Sequence, residues 1–168
     1  MVLRHRPELI DLELDSEGWV DVKDLIQKMN LHKKLISRAQ LEYIVENNSK
    51  KRYAFNADRT KIRANQGHSI AVNLGLDEAQ PPAILFHGTA EKFISSILKR
   101  GLIKKKRHHV HLSGDVETAS KVGRRHGELV VLEIDAARMF KDGLKFYRSE
   151  NGVWLTESVP KEYLKMKT

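Results

Sequence analysis

Cysteine is absent from this sequence, and prolines, aromatic residues and long apolar runs are scarce. Without cysteine the chain can form neither disulfides nor thiolate metal sites. No run of eighteen apolar residues is present to span a membrane. The basic segment Arg4-His5-Arg6 follows Met1 too closely for the apolar region of a signal peptide. These absences predict a soluble, cytoplasmic protein.

The charge balance is basic. The 168 residues include 30 Lys and Arg against 22 Asp and Glu, which gives a formal net charge of +8 and a pI near 9.7. Such an excess favours a polyanionic partner, and nucleic acid is the commonest one. Charge that serves only solubility is the alternative. The length fits one large domain or two small ones.

The first half of the chain predicts two helices followed by a basic hairpin. Apolar residues recur at helical spacing from Val22 to Met29, and Ser37 with Gln40 forms a capping box for the second helix. Residues 12–20 have the pattern strand, turn, strand. Alternating residues over 50–64, on both sides of a polar turn, predict the hairpin. Residues 1–75 are therefore predicted to be a small α+β module similar to a winged helix, with a hairpin that can follow a phosphate backbone.

The stretch Gly75–Pro82 resembles a linker and marks the predicted domain boundary. The second domain, residues 82–168, begins with a buried strand at 83–86, and residues 129–135 form the clearest strand of the chain. Strand character is also present over 108–113. The remaining elements are helices after residues 93, 116 and 136 and a hairpin over 146–156.

The stretch Ile62–Ser69 carries five polar side chains around one glycine, without helical or strand spacing. Gly67 lets the backbone bend, and the side chains supply directional donors and acceptors. The pattern fits a turn that faces a ligand, and it also fits a polar surface loop. The polar residues are Arg63, Asn65, Gln66, His68 and Ser69.

Three further groups of residues are candidates for chemistry. His109 and His111 would share one strand face and could bind a metal, but only Asp115 lies close enough in sequence to complete a site, so a polar edge strand or a ligand contact is favoured. His87-Gly88-Thr89 is predicted to follow a buried strand, where loops often bind ligands. Arginine lies near histidine at three places, which predicts a phosphate pocket, because a guanidinium matches phosphate oxygens and histidine can transfer protons. These places are Arg4-His5, Arg63 with His68, and Arg125-His126.

A series of motifs along the chain resembles the RNA 2'-phosphotransferase (tRNA 2'-phosphotransferase) family. The resemblance covers essentially the whole chain, except that most of a helix expected before Leu3 is missing, so we expect part of a first helix to be absent. The motifs are Leu3-Arg4-His5-Arg6-Pro7, Gly18-Trp19, Lys51-Arg52-Tyr53, Ile62-Arg63-Ala64-Asn65-Gln66-Gly67-His68-Ser69, Leu85-Phe86-His87-Gly88-Thr89, Val110-His111-Leu112-Ser113, Val122-Gly123-Arg124-Arg125-His126-Gly127 and Asn151-Gly152-Val153-Trp154-Leu155-Thr156.

The resemblance implies an α+β protein with a winged-helix-like lobe that binds RNA and a C-terminal lobe of the ADP-ribosyltransferase fold that binds NAD+. It also implies the removal, without a metal, of an internal RNA 2'-phosphate of the kind left by tRNA splicing or RNA repair. The 2'-phosphate attacks the ribose carbon that bears nicotinamide, and nicotinamide leaves. The neighbouring ribose hydroxyl then attacks phosphorus, which gives RNA with a 2'-hydroxyl and ADP-ribose 1'',2''-cyclic phosphate. We expect a monomer.

The resemblance also implies roles for particular residues. The catalytic set falls on Arg4, His5, Arg63 and Arg125, where Arg125 is preferred over Arg124 because it directly precedes His126-Gly127. NAD+ contacts fall on His87, Gly88, Thr89, His111, Ser113 and Val153. Val153 stands where protein-modifying relatives carry a catalytic Glu. Asn65, Gln66, His68 and Ser69 are expected to position the RNA phosphate or its ribose.

Two other functions fit parts of the sequence. ADP-ribosylation of a terminal nucleic-acid phosphate would use the same pocket but stop after the first step. A winged-helix nucleic-acid binder without catalysis would use only the basic surface.

Overall fold

The computed structural model describes residues 1–167, and the chain in it divides into two compact units, Met1–Gly75 and a second that begins at Leu76. The described residues form five α-helices and four small antiparallel sheets, so the protein is of a mixed α and β class. None of these helices has the length and apolar character needed to cross a bilayer.

The first unit contains two helices and one three-stranded antiparallel sheet in the order β1-β3-β2. A short 3₁₀ helix over Pro7–Ile10 precedes them. The elements, in chain order, are β1 Val20–Asp21, α1 Val22–Leu31, α2 Arg38–Glu46, β2 Tyr53–Phe55 and β3 Lys61–Ala64.

Both helices of the first unit begin where the sequence predicts. The carboxylate of Asp21 accepts hydrogen bonds from the first-turn amides of α1, and Ser37 forms the capping box with Gln40 at α2. The apolar stripe of α1 packs on the sheet, with Val22, Leu25 and Ile62 fully buried in one core. Each such side chain contributes roughly 1.5–3 kcal/mol by leaving water.

The second unit contains the other three helices and three sheets, whose orders are β11-β7-β4, β6-β9-β8 and β10-β5. Short 3₁₀ helices over Glu91–Phe93 and Lys161–Tyr163 complete it. The elements are β4 Ile84–Ala90, α3 Ile94–Arg100, β5 Leu102–Ile103, β6 Val110–Leu112, α4 Val116–Gly123, β7 Leu129–Asp135, α5 Ala136–Lys141, β8 Phe146–Arg148, β9 Trp154–Thr156, β10 Ser158–Val159 and β11 Leu164–Met166.

Strand β4 contacts both a neighbouring strand and a helix of the second unit. It pairs with β7 along its whole length, from Ile84 opposite Asp135 to Ala90 opposite Leu129. Helix α4 packs directly on β4 through two glycines. A Cβ atom on Gly88 would overlap the carbonyl oxygen of Ala119, and a Cβ atom on Gly123 would lie 2.9 Å from the Thr89 amide nitrogen. The absent side chains therefore let helix and strand backbones touch.

Three sequence predictions about the elements are wrong. Residues 12–14 form no strand, because Leu12 enters the core at the end of a 3₁₀ turn, where its amide donates to the Pro7 carbonyl at 3.1 Å. His87-Gly88-Thr89 does not follow the buried strand but lies inside it, because the pairing with β7 continues to Ala90. Strand β6 begins at Val110, so His109 lies outside it.

The strands β5, β10 and β11 were not predicted. The first two contain two residues each, which is too short for an alternating pattern, and β11 is an edge strand of three residues.

Replacement of Gly88 by alanine tests the contact between β4 and α4. Gly88→Ala should lower the free energy of unfolding by roughly 1–3 kcal/mol or more, because the added methyl group meets backbone that cannot move independently. Urea unfolding provides the measurement. Gly114→Ala is the matched control, since its Cβ atom would find its nearest neighbour at 4.0 Å. Equal stability of the two variants would contradict the packing described here.

Candidate active site

The polar stretch Ile62–Ser69 begins as strand and ends as a turn. Ile62 to Ala64 belong to β3, where Arg63 lies opposite Ala54. Beyond the strand, the Asn65 amide donates to the Arg52 carbonyl at 2.9 Å, and Asn65 Nδ2 donates to the Lys51 carbonyl at 2.7 Å. Gly67 has a φ of 82°, which favours glycine. The hairpin thus fixes the start of the stretch, and Gly67 allows the bend that follows.

The N-terminal segment is hydrogen-bonded to the far end of this stretch. The Ser69 amide donates to the Arg4 carbonyl at 2.9 Å, and His5 Nδ1 lies 3.0 Å from Ser69 Oγ. Residues that are 64 positions apart in sequence are thereby brought together. The predicted catalytic residues Arg4, His5 and Arg63 all lie in the first unit, the first two at one end of the stretch and the third at the other.

The guanidinium of Arg63 stacks on an aromatic ring. Its Cζ atom lies 4.4 Å from the centroid of the Trp19 ring, within the range of a cation–π contact. Trp19 was not among the predicted site residues. The only signal for it in the sequence was the motif Gly18-Trp19.

The other polar side chains of the stretch differ in accessibility. His68 is 1% exposed and Asn65 is 7% exposed, whereas Ser69 is on the surface. Asn65 Oδ1 and Gln66 Oε1 are buried and form no hydrogen bond with any of residues 1–167. As acceptors, these atoms suit a hydroxyl donor and not an unprotonated phosphate oxygen. The expected role of the two residues in positioning the RNA phosphate or its ribose stays a prediction.

In the second unit, β4 and β6 are joined beside the predicted cofactor residues. Phe86 and Ser113 exchange two backbone hydrogen bonds of 2.8 Å, and His87 Nδ1 lies 3.0 Å from the His111 carbonyl. Val153 directly precedes β9, whose Trp154 pairs with Leu112 of β6. The structure therefore brings His87, His111 and Ser113 together and places Val153 on the adjoining strand connection.

Two of the predicted cofactor residues contribute to packing. Gly88 faces the backbone of α4, and Thr89 is buried beside Gly123. The family resemblance implies a contact of Gly88 with NAD+. In the structure its missing side chain lets a helix approach the strand.

Hydrogen bonding fixes the tautomers of the two histidines. A carbonyl oxygen can only accept, so His87 Nδ1 carries the hydrogen and Nε2 is an acceptor. Arg107 Nη1 lies 2.6 Å from His111 Nδ1, and because arginine can only donate, the hydrogen of His111 is on Nε2. The two rings thus offer an acceptor at Nε2 of His87 and a donor at Nε2 of His111. Arg107 ends a run of four basic residues, and its bond to His111 was not predicted from the sequence.

Burial lowers the pKa of His87 below its ordinary value, more than the bond to the His111 carbonyl raises it, and the nearby His126 and Arg107 lower it further. His87 is therefore neutral at pH 7. This agrees with the tautomer inferred from its hydrogen bond.

Arg124 and Arg125 both lie in the exposed turn that follows α4. The Arg125 amide donates to the Val122 carbonyl at 3.3 Å, which continues the last helical turn. The geometry of the second unit does not distinguish between the two, so the choice of Arg125 stays a prediction.

The two histidines near β6 contact a tyrosine and an arginine side chain. The His109 ring lies 5.5 Å from the Tyr147 ring, and His111 contacts Arg107. Within residues 1–167, no three His, Asp or Glu side chains are grouped so that they could hold a metal ion.

The lowered pKa of His87 predicts a pH-dependent term in stability. Below about pH 6.5, the ordinary pKa of histidine, the unfolded chain binds a proton that the folded His87 resists. This contribution is fully present above that pH and is lost as the pH falls toward the lower pKa of the folded state. His87→Asn should remove that loss, so the variant should lose less stability than the wild type between pH 7.5 and 5.5 in urea unfolding. Identical pH dependence in both proteins would contradict the assignment.

Comparison with known proteins gives a consistent result. The family profile described as "RNA 2'-phosphotransferase, Tpt1 / KptA family" matches residues 1–158. A protein of Fusobacterium nucleatum named a probable RNA 2'-phosphotransferase is 55% identical over 166 residues, which cover 98% of this chain and 93% of that protein. Proteins of the same name from Flavobacterium johnsoniae and Pseudomonas fluorescens are each 53% identical, covering 100% and 98% of this chain and 92% and 91% of theirs. The chain belongs to the RNA 2'-phosphotransferase family.

Proposed function

We propose that the protein is an NAD-dependent RNA 2'-phosphotransferase that removes an internal 2'-phosphate from RNA. One observation carries the proposal: the family match over residues 1–158 includes every predicted catalytic, RNA-binding and NAD+-binding residue. The geometry of each unit supports it, because distant segments of the chain meet at the arginines and histidines that the proposed reaction needs.

The proposed fold of each unit has support in its topology. In the first unit, two helices are followed by a hairpin, and β1 pairs with the inner strand of that hairpin, as expected for a winged helix. In the second unit, β4 and β6 belong to two small antiparallel sheets and carry proposed NAD+ residues. We assign the first unit to RNA binding and the second, an ADP-ribosyltransferase-like unit, to the cofactor.

The donor set of the second unit fits NAD+. A ribose hydroxyl both donates and accepts hydrogen bonds, and His87 and His111 offer one acceptor and one donor nitrogen. These two residues, with Ser113, would hold a ribose of the cofactor. NAD+ would supply the ribose carbon that accepts the RNA phosphate, with nicotinamide as the leaving group, and the neighbouring hydroxyl that later takes the phosphorus.

The arginines would orient the phosphate and neutralise its charge. A phosphate dianion is already a nucleophile, so the first step needs no general base and depends on position and charge. Arg4 and Arg63 are the proposed contacts to the RNA phosphate, and Arg125 keeps the catalytic role that the family resemblance implies. Arginine suits this role because its planar donors match phosphate oxygens in pairs. Val153 supplies no carboxylate, which agrees with a nucleophile that carries its own charge.

His5 would handle the proton of the second step. Attack by a ribose hydroxyl on phosphorus releases a proton, and histidine is the side-chain type best suited to accept one at neutral pH. The contact between His5 Nδ1 and Ser69 Oγ, at 3.0 Å, holds the ring in one orientation. Ser69 would therefore act on the reaction through His5.

The direct test uses a short RNA with one internal 2'-phosphate, incubated with the protein and NAD+. Mass analysis should show that the RNA loses one phosphate and that nicotinamide and a cyclic phosphate of ADP-ribose form. Arg63→Ala should reduce turnover by about 10²–10³-fold, as expected when a group that stabilises transition-state charge is removed. Arg59→Ala is the matched control on the same hairpin, where Arg59 contacts Glu46 on the surface. It should keep near wild-type turnover.

Other outcomes of this test identify other functions. A terminal phosphate that gains ADP-ribose without loss of the 2'-phosphate would indicate nucleic-acid capping. Salt-sensitive RNA binding without any release of nicotinamide would indicate a binding protein. Unchanged turnover of Arg63→Ala would contradict the proposed phosphate contact.

A further inference from the structure

We propose that Trp19 is a positioning residue for phosphate transfer, which holds the Arg63 guanidinium in the orientation that binds the RNA 2'-phosphate. The inference rests on the proposed function, because it takes Arg63 as the phosphate contact. The observation behind it is the stack between the two side chains, with Arg63 Cζ 4.4 Å from the ring centroid.

The backbone places Trp19 directly across from Arg63. Strands β1 and β3 are antiparallel, with Val20 opposite Ile62 and Asp21 opposite Lys61. One step further along the same register, Trp19 faces Arg63. Side chains at facing positions of an antiparallel pair lie close enough to interact. The stack is therefore set by the register of the sheet.

A tight turn fixes the position of Trp19 just before β1 begins. Asp15 and Trp19 are joined by a backbone hydrogen bond of 2.9 Å, and the Asp15 carboxylate accepts from the Trp19 amide at 2.9 Å and from the Glu17 amide at 3.1 Å. Gly18 has a φ of 81°, which the turn requires. The second oxygen of Asp15 reaches Lys61 Nζ at 3.4 Å, so the turn is also tied to β3.

The stack suits a guanidinium that must bind an anion. The negative face of the indole attracts the cation, while the N–H donors of a stacked guanidinium lie in its own plane and point past the ring. The Nε atom of Arg63 is buried, so the terminal nitrogens form the end that can meet a ligand. The long side chain then needs little further ordering when phosphate binds.

Trp19 is not part of the hydrophobic core. The core of the first unit is built from residues such as Leu25, Ile62 and Val22, and Trp19 belongs neither to it nor to the side chains packed against it. The ring is only partly buried. The ring lies in contact with the Arg63 guanidinium. A large aromatic residue outside the core, stacked on a proposed catalytic arginine, points to a role at the site.

Three replacements of Trp19 separate the effect of its aromatic ring from the effect of its size. Trp19→Tyr keeps an aromatic face, Trp19→Leu keeps apolar volume without one, and Trp19→Ala keeps neither. We expect kcat on the 2'-phosphorylated RNA to fall by less than about threefold in Trp19→Tyr and by about 10- to 100-fold in Trp19→Leu. The KM for NAD+ should stay within about twofold of the wild type. Urea unfolding of the same proteins should show similar stability for Trp19→Tyr and Trp19→Leu.

A double-mutant cycle with Arg63→Lys identifies the partner. Lysine has no planar group to stack on the ring. When Arg63→Lys is already present, Trp19→Leu should therefore lower kcat by less than about a further twofold. An equal fold loss in both backgrounds would overturn the inference, as would equal kcat values for Trp19→Tyr and Trp19→Leu. Full turnover of Arg63→Ala would overturn the proposed role of Arg63 and this inference together. An inactive Arg63→Ala with a fully active Trp19→Leu would overturn this inference alone.

Discussion

The antiparallel pairing of β1 with β3 is the constraint on which the candidate site of the first unit depends. It is short, with two residue pairs, but it places Trp19 opposite Arg63 and starts the polar stretch in a fixed register. A shift by one residue would move Arg63 to the other face of the sheet and bury a charge where Ile62 now packs. Because Ile62 is fully buried, the core opposes that shift. Packing energy in the hairpin therefore also fixes the orientation of the arginine.

A comparable constraint acts in the second unit, where contact between backbones replaces contact between side chains. Gly88 and Gly123 let α4 lie directly on β4, and the adjoining His87 is held by the pairing of β4 with β7. The His87 ring is then oriented by the His111 carbonyl. A histidine placed on a paired strand and bonded at Nδ1 has little freedom left. Such rigidity suits the proposed contact of His87 with a ribose.

The sequence predicted most elements correctly because their signals are local. The capping box at Ser37, the apolar run over 129–135 and the apolar stripes of α1 and α4 each depend on residues within one element. The errors arise where a partner elsewhere decides the structure. Whether His87-Gly88-Thr89 is strand or loop depends on how far β7 pairs with it, and residues 12–14 lack a partner strand. Short edge strands such as β10 have too few residues to show a period.

Candidate site residues were predicted unevenly for the same reason. Arg4, His5 and Arg63 were selected by their chemistry and their match to family motifs, and the structure shows how His5 meets Ser69. The contact of Trp19 with Arg63 crosses two strands, and that of Arg107 with His111 depends on the conformation of the loop before β6, so neither follows from helical or strand spacing. Gly88 was selected as a contact for NAD+. In the structure, the group that lies against its backbone is a helix of the same unit, which the sequence did not indicate.

The chain from Arg107 through His111 to His87 has an electrostatic consequence for the proposed cofactor. Each link fixes one ring nitrogen as a donor or an acceptor, in a protein with a net charge of +8. The nicotinamide ring of NAD+ is itself a cation, and a charged imidazole beside it would oppose binding. Burial of His87 lowers the pKa of that ring and so favours its neutral form. Arg63, the proposed phosphate contact on β3, and the histidines proposed for the cofactor on β4 and β6 are thus separate sets of side chains, each held by its own strand pairing.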